Sequence, residues 1–316
     1  MTRVLINFDL PDPDLDRLQK HYPQLEWVRC TDRGKLFDLL KETEILLIFL
    51  HGDREMLDAA PRLKWIQAIT AGVDDLPLAE IARRGIRLTN GRGIHVVHMA
   101  EYAVAAMINL ARGFHVMFRN QMRKNWDRSV PQEQICGATV GILGLGAIGR
   151  EIARKAAFMG MRVLGVRRTP VPVADVETVY GPEEMASVFQ QSDYVINLLP
   201  CTPATEKMID RRFFEAMKPT ASFINMGRGK TVNEADLIDA LRHKKIKALV
   251  SDVYATEPLP ADSPLWDMEN VILTPHICGV SPHYMARAMK IIEHNLDVYL
   301  SGRGEMINTV DIAAGY

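Results

Sequence analysis

The 316 residues are 47% hydrophobic and 24% charged, the balance of a globular chain long enough for two domains. With 38 basic against 39 acidic residues the net charge is −1, so no electrostatic case exists for nucleic-acid or membrane partners. Four scattered cysteines (Cys30, Cys136, Cys201, Cys278) form no C-x-x-C and argue against a metal knuckle or a disulfide scaffold; no metal site is expected. The start lacks a signal-peptide pattern, and the longest apolar run, residues 45–50, is far too short for a bilayer, so the cytoplasm is the expected compartment.

Strand-like runs at residues 4–8, 25–30, 45–50, 65–70 and 86–89 alternate with short amphipathic stretches at 15–22, 35–41, 55–60 and 78–84. That alternation predicts a parallel sheet, with ligands beyond the carboxyl ends of its strands. Two such ends carry small or polar residues, Leu50-His51-Gly52 and Thr70-Ala71-Gly72-Val73-Asp74. Exposed backbone amides at the second could hold a carboxylate; an ordinary loop is the alternative. Residues 99–120 read as one long apolar helix bridging into a second domain and offering an oligomer contact.

Residues 139–150, T-V-G-I-L-G-L-G-A-I-G-R, set G-x-G-x-x-G after a strand and before a helix, the setting of a dinucleotide-binding turn. Gly144 permits the tight turn, Gly146 lets a pyrophosphate approach, and Gly149 lets helix and strand pack closely. The helix start presents unpaired N–H groups and the positive end of its dipole to phosphates. The next strand, 162–166, ends in Arg167-Arg168-Thr169, with no acid until Asp175. Two guanidiniums and a hydroxyl suit a 2′-phosphate better than a ribose hydroxyl pair, so NADP(H) is the expected cofactor and NAD(H) the alternative.

Further strands at 194–199, 222–225, 248–252 and 271–273 each lead into a turn bearing polar side chains. This arrangement gathers Thr202, Arg228, Asp252, Glu257 and His276 near one sheet edge. The last helix, residues 282–301, returns the chain to the first domain.

The motifs G-L-G-A-I-G, L-L-P-C-T-P-A-T, N-M-G-R-G, D-V-Y-A-T-E-P-L-P, S-P-L-W and T-P-H-I-C-G, in this order and spacing, resemble the D-isomer-specific 2-hydroxyacid dehydrogenase family, most closely its glyoxylate/hydroxypyruvate reductase branch. The resemblance implies an α/β fold of two doubly wound parallel-sheet domains. One is a flavodoxin-like substrate domain (residues 1–98 and 289–316); the other is a Rossmann dinucleotide-binding domain (99–288). It also implies a homodimer, and a small 2-oxo acid reduced to its D-2-hydroxy acid.

By the same resemblance, Arg228 binds the substrate carboxylate and polarises its carbonyl, and His276 donates the proton. Glu257 orients His276 and favours its charged form. Asp252 holds the nicotinamide carboxamide. Cofactor contacts are implied for Gly144, Leu145, Gly146, Ala147, Ile148, Gly149, Arg167, Arg168, Thr169, Pro200, Thr202, Thr205, Met226, Gly227, Arg228, Asp252, His276 and Gly279. Substrate contacts are implied for His51, Ala71, Gly72, Val73, Arg228 and His276. The chemistry asks for these types independently: hydride addition builds charge on the carbonyl oxygen, which a cation and a proton donor stabilise. Alternatives are a bulkier oxo acid (phenylpyruvate or 2-oxoisocaproate), phosphoglycerate, or a corepressor-like redox-sensing binding protein. Glu257 stands against a formate dehydrogenase, where the resemblance would require Gln.

Overall fold

Runs of Val, Ile and Leu without polar interruption become strands covered on both faces, and both sheets of this protein are parallel throughout. The computed structural model describes residues 1–49 and 52–312; Leu50 and His51, and residues 313–316, lie outside the described residues. The chain divides into two compact units, Met1–Ile94 with Ser281–Tyr316, and His95–Val280.

The first unit holds β1 (Thr2–Asn7), α1 (Asp12–His21), β2 (Leu25–Arg29), α2 (Arg33–Leu40), β3 (Thr43–Ile48), α3 (Arg54–Asp58), β4 (Trp65–Ala68), α4 (Leu78–Arg83) and β5 (Arg87–Thr89). Its strand order, β2-β1-β3-β4-β5, is the flavodoxin-like winding. The chain's final helix, Tyr284–Ser301, lays Ala288, Met289, Ile292 and Leu296 against Val4, Ile6, Ile45, Leu47 and Trp65. Leu5, Leu46 and Ile66 of the opposite face pack with Leu36, Leu40 and Ile81 of α2 and α4. Each fully buried Val, Leu, Ile or Met among them stabilises the fold by about 1.5–3 kcal/mol. Polar side chains buried among these strands pair with one another: the Trp65 indole donates to Thr89 Oγ1 (2.8 Å), and Thr89 and Asn295 both donate to Gln67 Oε1 (2.7 and 2.8 Å).

The second unit runs α5 (Val96–Arg112), α6 (Phe114–Met122), β6 (Thr139–Leu143), α7 (Ala147–Phe158), β7 (Arg162–Val166), β8 (Thr178–Tyr180), α8 (Met185–Gln191), β9 (Tyr194–Asn197), α9 (Arg211–Ala216), β10 (Ser222–Asn225), α10 (Glu234–Arg242), β11 (Ala248–Ser251) and β12 (Val271–Leu273). Its order, β12-β11-β10-β9-β6-β7-β8, reverses between β6 and β9, as in a Rossmann sheet. Residues of α5 and α7 cover one face, and residues of α8, α9 and α10 the other.

One expected helix is two. Gly113 adopts φ 61° and closes α5 by donating to the Asn109 and Leu110 carbonyls, and α6 then starts in a new direction. A Cβ there would also lie 2.7 Å from Val130 Cγ1. The apolar content of residues 99–120 concealed this break, because periodicity does not register a single left-handed residue. Helix α5 buries seven residues, whereas α6 buries none and exposes Phe114, Phe118 and Met122. No helix among the described residues is long and apolar enough to cross a membrane.

Candidate active site

The glycine turn leaves β6 at the point where the strand order reverses. Gly144 takes φ 106°, and its N–H is held by the Val166 carbonyl at the end of β7. Gly149 admits no side chain, since a Cβ would stand 2.1 Å from the Gly144 carbonyl oxygen. Gly146 faces open space, with nothing within 4 Å of a built Cβ. It is the N-cap of the twelve-residue α7, which has neither a side-chain cap nor an acid in its first turn. A helix start left uncapped behind an open, Cβ-free approach suits a phosphate chemically. The side chains of Leu145 and Met226 are buried in the core, leaving their backbones as the groups available to a ligand.

The turn after β10 carries Arg228 between two glycines, and both glycines are contact points. A Cβ at Gly227 would be 2.8 Å from the Leu199 carbonyl oxygen; one at Gly229 would be 1.9 Å from the Tyr254 carbonyl carbon. The Arg228 turn therefore lies directly on the turn after β11. Its backbone is fixed by Thr231, whose hydroxyl donates to the Arg228 carbonyl (2.7 Å). Asn197 in turn donates to Thr231 Oγ1 (2.8 Å) and to Asn225 Oδ1 (2.9 Å). The guanidinium is partly exposed and donates to the Gly227 carbonyl.

Glu257 closes the same cluster. One carboxylate oxygen accepts from the Tyr254 N–H (2.9 Å), the other meets His276 Nδ1 (2.7 Å). A carboxylate on Nδ1 requires the proton there, so Nε2 is the nitrogen left to face a reactant. The imidazole is 48% exposed, accessible enough to meet a ligand. Glu234 Oε2, from the first turn of α10, accepts the Ala255 N–H (3.0 Å) and steadies this turn from the other side. His276 itself sits at φ 52°, a left-handed conformation that costs a non-glycine residue on the order of 1–3 kcal/mol.

Asp252 is completely buried. Its Oδ1 accepts from Thr274 Oγ1 (2.5 Å) and the Ile277 N–H (2.9 Å), and its Oδ2 from the Cys278 N–H (2.9 Å). Burial pushes the neighbouring Cys278 thiol well above its ordinary range, against the field of Arg228, so this thiol is no nucleophile. Gly279 is held through its carbonyl by His98 Nε2 (2.9 Å). Thr202 and Thr205 organise their own loop: the Thr205 hydroxyl donates to the Pro200 carbonyl (2.6 Å) and accepts the Thr202 N–H (2.8 Å).

Beside the glycine turn lies a cavity of about 450 Å³, lined by Arg167, Arg150, Arg154, Glu151 and Asp175 among others. Arg154 is paired with Glu151 through two bonds (2.9 and 2.7 Å), whereas Arg150 and Arg167 have no carboxylate partner among the described residues. Arg168 and Thr169 are exposed and do not line it. Arg150 escaped the motif reading because it follows the third glycine. The helical spacing of 147, 150, 151 and 154, which places them on one face, was the available signal.

In the first unit the turn after β4 has its carbonyls engaged: Gly72 O accepts from Thr70 Oγ1 and Ala71 O from Asn90 Nδ2, both at 2.8 Å. The N–H groups of Ala71, Gly72 and Val73 donate to no acceptor among the described residues. His51, expected to line the substrate pocket, lies outside the described residues.

A Rossmann sheet with an open glycine turn, followed by an Arg turn and a Glu–His couple at successive strand ends, defines a nicotinamide-dependent oxidoreductase. Residues 104–278 match the family described as D-isomer specific 2-hydroxyacid dehydrogenase, NAD binding domain. The chain is 37% identical over 262 residues to human glyoxylate reductase/hydroxypyruvate reductase, covering 79% of this chain and 78% of that one. It superposes on a D-isomer specific 2-hydroxyacid dehydrogenase family protein from Aeromonas salmonicida with a TM-score of 0.88 and 33% identity, covering 98% and 99% of the two chains. It superposes on an NADPH-dependent glyoxylate/hydroxypyruvate reductase from Sinorhizobium meliloti, in complex with NADP and sulfate, with a TM-score of 0.84 and 25% identity over the full length of both. The chain belongs to the D-isomer-specific 2-hydroxyacid dehydrogenase family.

The glycine geometry separates two substitutions in the free protein. Gly149→Ala should gain up to about 1 kcal/mol of helix propensity but lose more to the clash, for a net loss of about 1–3 kcal/mol. Gly146→Ala meets no clash and loses only the N-cap preference of Gly over Ala, so it should cost about 0.5–1 kcal/mol. Denaturant unfolding checks both, and equal stability of the two variants would contradict the packing described.

Proposed function

We propose that this protein reduces a small 2-oxo acid of the glyoxylate or hydroxypyruvate kind to its D-2-hydroxy acid, with NADPH preferred over NADH. The observation that carries the reading is the His276–Glu257 couple, made through Nδ1 on a ring that is nearly half exposed, one contact removed from the Arg228 turn through Tyr254 and Gly229. The names of the human and Sinorhizobium relatives support the substrate class.

When bound, the reduced nicotinamide supplies the hydride; the chain supplies placement, charge and the proton. The glycine turn and the α7 start would hold the pyrophosphate. Arg228 would fork onto the substrate carboxylate and stabilise the charge that grows on the carbonyl oxygen. His276 would pass its Nε2 proton to that oxygen, so ketone, hydride and proton become the alcohol, while Glu257 compensates the charged ring. The amides of Ala71 to Val73, which donate to no acceptor among the described residues, suit the same class of ligand, a small carboxylate.

His276→Ala should lower kcat by about 10²–10⁴-fold and leave NADPH affinity nearly unchanged. Loss of reduced-nicotinamide absorbance across a panel of 2-oxo acids, with fluorescence titration of NADPH, checks this. Normal turnover in the variant would remove His276 from the proton-donor role, and an inert parent protein would remove the whole reading.

Arg167 and Arg150, cations with no carboxylate partner among the described residues, line one cavity and favour a 2′-phosphate there. Replacing either with Gln should weaken NADPH about tenfold or more and NADH far less. Equal weakening of both cofactors would defeat the assignment. Asp175 on the same cavity favours a second reading, NADH held through its ribose hydroxyls. A parent enzyme with higher kcat/KM for NADH would select that one.

We also infer a homodimer. Phe114, Phe118 and Met122 recur every four residues along α6 with Trp126 following, all exposed in the single chain. Sedimentation equilibrium should return twice the chain mass, and Phe118→Asp should return one; a monomeric parent overturns the inference.

A further inference from the structure

The left-handed His276 lies in a turn whose backbone is gripped from one side. The Thr274 N–H donates to the Ser251 carbonyl (3.0 Å), and its own carbonyl accepts from the buried Tyr254 hydroxyl (2.8 Å). The His276 N–H donates to the Asp252 carbonyl (2.9 Å). The Asp252 carboxylate then takes the next two amides and the Thr274 hydroxyl. Beyond Thr274 stands Tyr102 of α5, its hydroxyl oxygen 2.6 Å from Thr274 Oγ1. Thr274 has one hydroxyl proton, and the ionised carboxylate takes it; Tyr102 must therefore be the donor in that contact. Burial pushes the Tyr102 phenol up to about 12, so it remains a donor throughout the neutral range.

We propose that Tyr102 and Thr274 are positioning residues of the reaction: the relay Tyr102 to Thr274 to Asp252 sets where His276 Nε2 points. The proposal rests on the reading of His276 as the proton donor. These bonds fasten the backbone of an exposed turn whose histidine ring remains nearly half accessible. Glu257 fixes the ring from the far end, so the backbone grip and the ring contact together determine the Nε2 position. Tyr102 and Thr274 act through Asp252 and the backbone of the turn.

Proton transfer is sensitive to such placement, and a 1 Å error costs about 100-fold. Thr274→Val removes the relay and should lower kcat about 10- to 100-fold. KM for glyoxylate and the fluorescence-titrated Kd for NADPH should stay within about twofold, because no ligand contact is removed. Thr274→Ser restores the hydroxyl and should recover kcat to within about threefold of the parent. Tyr102→Phe deletes one neutral hydrogen bond and should cost about two- to tenfold in kcat, again without a change in KM.

His276→Ala is assayed alongside. Full turnover there means the proton-donor reading has failed and the proposal falls with it. A dead His276→Ala beside a Thr274→Val of parental kcat overturns the relay alone. So does a loss in Thr274→Val that Ser does not restore, or one that appears in KM with kcat unchanged. If Thr274→Val does not fold, the Tyr102→Phe and Thr274→Ser pair decides. Folded Tyr102→Phe protein with parental kcat overturns the proposal; a reduced kcat with parental KM and full activity in Thr274→Ser supports it.

Discussion

A carboxylate sealed from water must be satisfied by donors, and the site of this protein is built around one such group. Asp252 has no exposed surface and no ion pair within reach among the described residues. Three hydrogen bonds carry its charge. All three donors come from the five residues 274–278, so satisfying the carboxylate also dictates the path of that segment. The left-handed backbone of His276 is the conformation that lets its neighbours on the C-terminal side turn their amides inward together. Strain at one residue is thus offset by the satisfaction of a buried charge beside it.

The same carboxylate bears on the cofactor role that the family resemblance implies for it. Oδ1 takes two donors and Oδ2 takes one, and the group has no exposed surface through which a carboxamide could reach it, so its observed work is to hold the 274–278 turn. An asparagine could not replace it, because its NH2 would face amide donors.

Much of this was legible in the chain. Most strands of both sheets were readable as apolar runs, since a parallel strand covered on both faces leaves no polar alternation to confuse the reading; the short, half-buried edge strand Thr178–Tyr180 was not. The three glycines were readable because each answers a local steric demand within six residues. The nearness of Glu257 to His276, and of the Arg228 turn to the turn that carries Glu257, was readable only through their motifs and order, for nothing local in a loop says which distant side chain it meets. The remainder depends on contacts distant in sequence. Tyr102 is more than 170 residues from Thr274, and read in sequence it is one more half-buried helix position. Glu234 could pass for an ordinary first-turn acid on α10, and Arg150 for a solvated cation. The break at Gly113 went unseen because the apolar pattern continues across it, although the direction of the helix does not.

Gly229 has a consequence of a mechanical kind. Its missing side chain lets two loops from neighbouring strands touch main chain to main chain, with no compliant atoms between them. Side chains can swing among rotamers and absorb a displacement; peptide planes in contact cannot. Any thermal excursion of the guanidinium-bearing loop must therefore carry along the loop that holds the imidazole's carboxylate. The Arg228 loop and the Glu257 loop jitter together, and their mutual spacing is quieter than the motion of either one.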